Sequence, residues 1–223
     1  ISSSKFLTEV IEEIIPYKSI SILSGPSFSN EVSQSLPTAV TLATKNKKDF
    51  DIISKLIPNK EFRIYYSDDL IGTQIGGALK NIYAIAAGIA EGLNLGENAK
   101  SALISRSFAE MTRYAKKFKA DKNTLFGLSG LGDLILTCSS TNSRNTQFGI
   151  KLASSKYNNF LDLLQSQEVT EGYYTVKAVY NISKKKKIDM PIMESVYNIL
   201  YKQHDLKVEI SNLLNRPLKD EKI

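Results

Sequence analysis

The sequence predicts an α/β segment followed by an all-helical domain. Over residues 1–67, short β-rich runs alternate with helical ones, the pattern of part of an α/β sheet. After Asp68 strand signals nearly vanish, and long stretches of helical periodicity take over. Glycine-rich connectors separate several of those stretches.

The elements follow in order. Lys5 to Ile15 has helical spacing, with Phe6, Val10, Ile11 and Ile14 on one face. Ser19 to Leu23 is a short strand running into "SGPS", a turn signal. Asn30 to Ser35 reads as a helical turn and Ala39 to Ala43 as a second strand. Asp49 to Leu56 is helical again, and Phe62 to Tyr66 is a third strand. Beyond Asp68, helices are expected over about 69–92, 97–119, 146–156, 172–187, 191–202 and 205–214. The division falls at 1–67 and 68–223.

Composition narrows the function classes. A chain of 223 residues is long enough for one large domain or two small ones with a real core. A single cysteine, Cys138, rules out an internal disulfide and fits a reducing compartment. No run approaches the roughly 18 apolar residues of a membrane span, and no secretory signal pattern is visible. A cytoplasmic protein without stable membrane insertion is expected. The net charge of +6 could serve an anionic partner. The basic residues are scattered, however, and the one dense run, Lys184 to Lys187, suits the last turn of a helix. No basic stripe interleaved with aromatics points to nucleic acid.

Three stretches carry chemistry. "GGALKNIYAIAAGIAEGLNLG", Gly76 to Gly96, places Lys80 and Asn81 within a small, apolar helix. Burial disfavours a charged lysine unless it has a partner, which is how lysines become acids or bases near neutral pH. The plainer alternative is a lysine whose stem lies along apolar surface with its head in water. Asn81 is a poor mid-helix residue, which favours a functional role. "GLSGLGDLILTCSSTNSRNTQFG", Gly127 to Gly149, has glycines at 127, 130 and 132, then Asp133 opening an apolar turn. Its polar cluster, Ser139 to Asn145, collects short hydrogen-bonding side chains around Arg144 just before a helix, a ready anion site. An ordinary polar loop with an N-cap is the alternative. "SGPSFSNE", Ser24 to Glu31, sets a Gly-Pro-Ser turn at a strand end, where open α/β sheets bind ligands.

Absences matter as well. The sequence has no G-x-G-x-x-G after a strand and no G-x-x-x-x-G-K-[ST]. His204 is the only histidine and lies among polar residues, so a histidine triad or His-rich metal site is not expected.

"SGPSFSNEVSQSLPTAVTLAT", "GGALKNIYAIAAGIAEGLNLGENAKSALISRSFAEM", "GLSGLGDLILTCSSTNSRN" and "VTEGYYTVKAV" together resemble bacterial NAD(P)-dependent glycerol-3-phosphate dehydrogenases, in order and over nearly the whole chain. The resemblance implies a Rossmann domain remnant followed by an all-α domain of the 6-phosphogluconate dehydrogenase C-terminal type. It implies an oxidoreductase that interconverts sn-glycerol 3-phosphate and dihydroxyacetone phosphate with NAD or NADP, feeding glycerophospholipid synthesis. It leaves room for a homodimer. By position, Lys80 matches the proton-accepting lysine, Asn81 follows it, and Asp133 matches an aspartate beside it, with Thr137 four positions on. Ser143, Arg144 and Asn145 match the phosphate-binding triplet, and Gly25 and Ser27 match substrate contacts. Ser29, Arg144, Val169 and Glu171 match cofactor contacts, with Ser29 and Thr170 standing where the family usually has alanine. The family's glycine-rich fingerprint lies upstream of anything here, so the chain corresponds to the C-terminal two-thirds of such an enzyme. Two other readings stay open: an inactive remnant persisting as a helical module, and a relative acting on another small acid. The Arg144-Asn145 and Lys80-Asn81 pairs disfavour the second.

Overall fold

The computed structural model describes residues 5–15, 19–57, 60–154, 170–218 and 220–221. Three strands form one sheet in the order β1-β2-β3: β1 Ser21–Ser24, β2 Thr38–Thr44 and β3 Phe62–Ser67. β1 runs antiparallel to β2, with Ser21 opposite Thr44. β3 runs parallel to β2, with Thr38 opposite Phe62. β2 is central and almost wholly buried, which suits its Thr-Ala-Val-Thr-Leu-Ala-Thr sequence; β3, at an edge, alternates in burial. Helices α1 (Leu7–Ile14), α2 (Ser29–Ser33) and α3 (Lys47–Leu56) complete this part. The elements expected in this part are all present, with ends shifted by at most two residues.

The rest is helical. α4 (Leu70–Gly92) is the axis of the molecule. Leu79, Ile82, Tyr83, Ala84, Ile85 and Ala87 are all essentially inaccessible on it, because neighbours pack on every side. Those neighbours are α5 (Glu97–Lys117), α6 (Lys122–Phe126), α7 (Asp133–Ser139), α8 (Arg144–Ala153), α9 (Glu171–Lys186) and α10 (Pro191–Lys202). α11 (Leu206–Leu214) packs on α10. Asp69 caps α4, its Oδ1 accepting from Gly72 N–H at 2.8 Å. Its other carboxylate oxygen accepts from Asp121 N–H at 2.8 Å, so one side chain ties the starts of α4 and α6 together.

Small residues on α4 permit an unusually close neighbour. A Cβ built on Gly88 would lie 2.0 Å from the Thr146 carbonyl oxygen, and one on Gly149 would lie 2.2 Å from the Ile85 carbonyl oxygen. α4 and α8 therefore meet backbone to backbone.

Asp133 opens the apolar stretch Leu134 to Leu136 as expected, but as the first residue of a helix, α7, and a π-helical turn, Leu128–Gly132, runs into it. His204, the one histidine, is at the surface, its side chain 45% exposed, and it has a partner. Its Nδ1 lies 2.7 Å from Oε1 of buried Glu209, which also accepts from Asn198 Nδ2 at 3.2 Å.

Candidate active site

The end of β1, the middle of α4 and the starts of α7, α8 and α9 surround a cleft of about 640 Å³. Each wall follows from local sequence. Gly25 turns the chain after β1 at φ 144°, in a spot where a Cβ would sit 3.0 Å from Val40 Cα. Ser27 steadies that turn by donating to the Gly25 carbonyl at 3.0 Å. Ser143 caps α8 by accepting from Thr146 N–H at 3.2 Å, so the polar cluster ends where the helix begins.

Lys80 and Asp133 meet on the cleft wall. Lys80 Nζ donates to Asp133 Oδ2 at 2.6 Å; the lysine side chain is 22% exposed and the carboxylate 3%. Lys80 is thus a partnered cation that reaches the cleft, not a lysine resting its head in bulk water. Burial raises the Asp133 carboxyl above its ordinary value. The Lys80 ammonium, the Thr137 hydroxyl and the Gly25 N–H oppose that rise. Thr137 Oγ1 donates to the Asp133 carbonyl at 2.6 Å and lies 3.3 Å from Oδ1. Asp133 therefore ties the start of α7 to Lys80 on α4.

A second network binds the starts of α8 and α9 to α4. Asn145 Oδ1 accepts from Gly172 N–H at 2.9 Å, and its Nδ2 donates to Asn81 Oδ1 at 3.1 Å. Asn81 Nδ2 reaches the Gly77 carbonyl at 3.4 Å. At the opening, Arg144 pairs with Glu171; their side chains are 77% and 51% exposed. Arg144 and Glu171 are the first residues of α8 and α9, where free N–H groups and the helix dipoles favour anions.

Gly25, Ser27, Ser29, Lys80, Asn81, Asp133, Thr137, Ser143, Arg144, Asn145 and Glu171 all line this one cleft. Val169 lies outside the described residues. Phe28, Asn30, Gly77, Leu136 and Asn142 also line it, and the sequence reading gave none of them a role of its own. Gly77 and Asn142 carried a signal, standing one helical turn before Lys80 and beside Ser143.

A family profile for the C-terminus of NAD-dependent glycerol-3-phosphate dehydrogenase matches residues 69–211. The chain belongs to that family. The profile for the N-terminus of the same dehydrogenases matches residues 2–50. A glycerol-3-phosphate dehydrogenase [NAD(P)+] of Francisella tularensis is 43% identical over 98% of this chain and 66% of its own length. One from Thermotoga sp. strain RQ2 is 45% identical over 99% of this chain and 67% of its own length. The crystal structure of glycerol-3-phosphate dehydrogenase from Coxiella burnetii superposes with a TM-score of 0.90 at 38% identity, covering 96% of this chain and 66% of that one. The chain thus spans about two-thirds of the length of these glycerol-3-phosphate dehydrogenases, as the motif positions led one to expect.

Among the described residues, no group of His, Cys, Asp and Glu could hold a metal ion. No helix there is long and apolar enough to cross a membrane. Cys138 is buried beside the site, and burial pushes its thiol up to about 12, which leaves it a poor nucleophile.

Proposed function

We propose that this chain carries the proton-handling and phosphate-binding part of an NAD- or NADP-dependent oxidoreductase. The enzyme interconverts sn-glycerol 3-phosphate and dihydroxyacetone phosphate, in the cytoplasm, for glycerophospholipid synthesis. Residues 1–67 belong to its nucleotide-binding domain and 68–223 to its substrate domain. The observation that carries the reading is the Lys80–Asp133 contact of 2.6 Å in the same cleft as the Ser143-Arg144-Asn145 cluster.

In reduction the Lys80 ammonium gives a proton to the oxygen forming at C2 and is left as the neutral amine; in oxidation Lys80 first releases a proton to solvent, and the neutral amine then takes the proton of the C2 hydroxyl. Asp133 holds the protonated Lys80 in place, and Thr137 steadies Asp133. Arg144, with Ser143 and Asn145, grips the phosphate and so fixes C2 against Lys80. Gly25 and Ser27 present the strand-end turn to the substrate, and Asn81 keeps the Lys80 segment tied to Asn145.

The residues on the cofactor side fit the ribose-nicotinamide end of a dinucleotide. An acceptor carboxylate at Glu171, donors at Arg144 and a hydroxyl at Ser29 border the cleft together, suiting a sugar diol and an anion. When bound, the nicotinamide supplies the hydride acceptor.

The test is substrate discrimination by Arg144→Ala in a complete enzyme, made by joining the fingerprint-bearing segment of a relative to Ile1. Charge-assisted hydrogen bonds are worth roughly 1.5–3 kcal/mol each. Losing one or two lowers kcat/KM for dihydroxyacetone phosphate by about one to four powers of ten. Unphosphorylated dihydroxyacetone should be little affected. Equal losses on both substrates would assign Arg144 to the cofactor or the fold.

A further inference from the structure

We infer that Glu171 is an internal occupant of the phosphate seat: its carboxylate neutralises Arg144 until an incoming phosphate displaces it. The inference rests on the function proposed above and concerns how its phosphate site is kept before substrate arrives.

The charges of the cleft lead to it. Among the described residues lining it, the cations are Lys80 and Arg144 and the carboxylates are Asp133 and Glu171. They pair one to one, Lys80 with Asp133 and Arg144 with Glu171. A phosphate entering the cleft therefore meets no cation without a carboxylate partner there and competes with that partner for the charge. The two pairs differ greatly in cost. The Asp133 carboxylate is 3% exposed, and stripping its partner would leave a charge in a desolvated pocket, a penalty of roughly 10²-fold or more. The Arg144–Glu171 pair is 77% and 51% exposed, and an ion pair in such a setting holds by a factor of roughly 1.4 to 5. Arg144 is the cation that exchanges.

The backbone confines the movement to a side chain. Gly172 N–H donates to Asn145 Oδ1 at 2.9 Å, so the chain next to Glu171 is fastened to the residue next to Arg144. A Cβ on Gly172 would lie 2.6 Å from the Asn81 carbonyl oxygen, which shows how closely this start of α9 is seated on α4. Glu171 can leave Arg144 by rotating its own side chain while its Cα stays put. The carboxylate thus holds the guanidinium at the opening without closing it to a better anion. Two phosphate oxygens can take the guanidinium fork that one carboxylate now shares.

The experiment is a double-mutant cycle on phosphate binding. The probe is radiolabelled inorganic phosphate in equilibrium dialysis at fixed ionic strength. The proteins are the parent chain, Glu171→Gln, Arg144→Ala and the double variant, each checked for unchanged helical content. Expected is a 1.4- to 5-fold gain in phosphate affinity for Glu171→Gln when Arg144 is present, and no gain when Arg144 is alanine. An equal gain in both backgrounds would mean a general change of field and overturns the exchange. So does no gain in either. If Arg144→Ala binds phosphate as tightly as the parent, or none of the four binds it, the phosphate seat itself is wrong. That outcome removes the proposed function's phosphate site, whereas the first two leave it standing.

Discussion

The Glu110 carboxylate lies 2.6 Å from the Ile192 amide nitrogen, 82 positions further along the chain. Its second oxygen accepts from Met193 N–H at 3.1 Å and from the Tyr83 hydroxyl at 3.4 Å. One buried acid thereby caps α10 and touches the helix that carries Lys80. Pro191 stands at the first position of α10, so the next two N–H groups are the ones needing a partner.

A pH dependence follows. Burial pushes Glu110 from 4.5 up to about 7, although the Ile192 and Met193 N–H groups pull the other way. The folded chain thus binds more protons than the unfolded one between these values. Stability is therefore greatest below about 4.5 with respect to this group and falls as pH rises through 7, by about 3 kcal/mol in all. Urea midpoints measured from pH 4.5 to 7.5 should show this slope, and Glu110→Gln should flatten it. An unchanged slope in the variant would place the proton elsewhere.

Lys80→Ala in the complete enzyme should lower kcat for dihydroxyacetone phosphate by roughly 10²–10⁴. It also leaves Asp133 buried without its cation, which costs stability. Adding Asp133→Asn should restore much of the urea midpoint and none of the activity. Rates within a few-fold of the parent in Lys80→Ala would remove Lys80 from proton transfer.

Gly149→Ala should destabilise by roughly 1–3 kcal/mol, because the added carbon meets backbone. Gly132→Ala is the contrasting case. Gly132 has φ −59° and ψ −49°, and nothing lies closer than 3.8 Å to a Cβ there. That substitution should be neutral or stabilise by up to about 1 kcal/mol. Chemical denaturation of both variants checks the pair, and similar midpoints would contradict the close contact.

The 223 residues alone should bind dinucleotide weakly, since no G-x-G-x-x-G turn is present and the described sheet has three strands. Calorimetric titration with NADH and NADPH measures this. Affinity equal to that of a full-length relative would show that the chain makes its own pyrophosphate seat.

Much of this arrangement was legible in the residues. α4 was expected over 69–92 and spans Leu70–Gly92, since a long run of small and aliphatic residues leaves few alternatives. The cleft residues came from motif resemblance, and the fold places the described ones along one cavity. The stretch 127–139 was harder. Glycines give it little intrinsic preference, and its π-helical turn and α7 depend on packing: a Cβ on Gly130 would lie 2.1 Å from the Leu125 carbonyl oxygen. Glu110 was missed because its partners, Ile192 and Met193, are distant in sequence. Its place among Phe108, Ala109 and Met111 was the available sign of burial.

The glycine contact between α4 and α8 also constrains how this chain can change. At Gly88 and Gly149 there is no side chain left to trim, so no smaller residue on one helix can make room for a larger one on the other. Only a shift of a whole helix could accommodate it. Lys80 rides on α4 and Arg144 begins α8, so their spacing is gauged by main chain against main chain. Mutational drift can reshape the walls of the cleft, but its span is held to a tolerance that side-chain turnover does not alter.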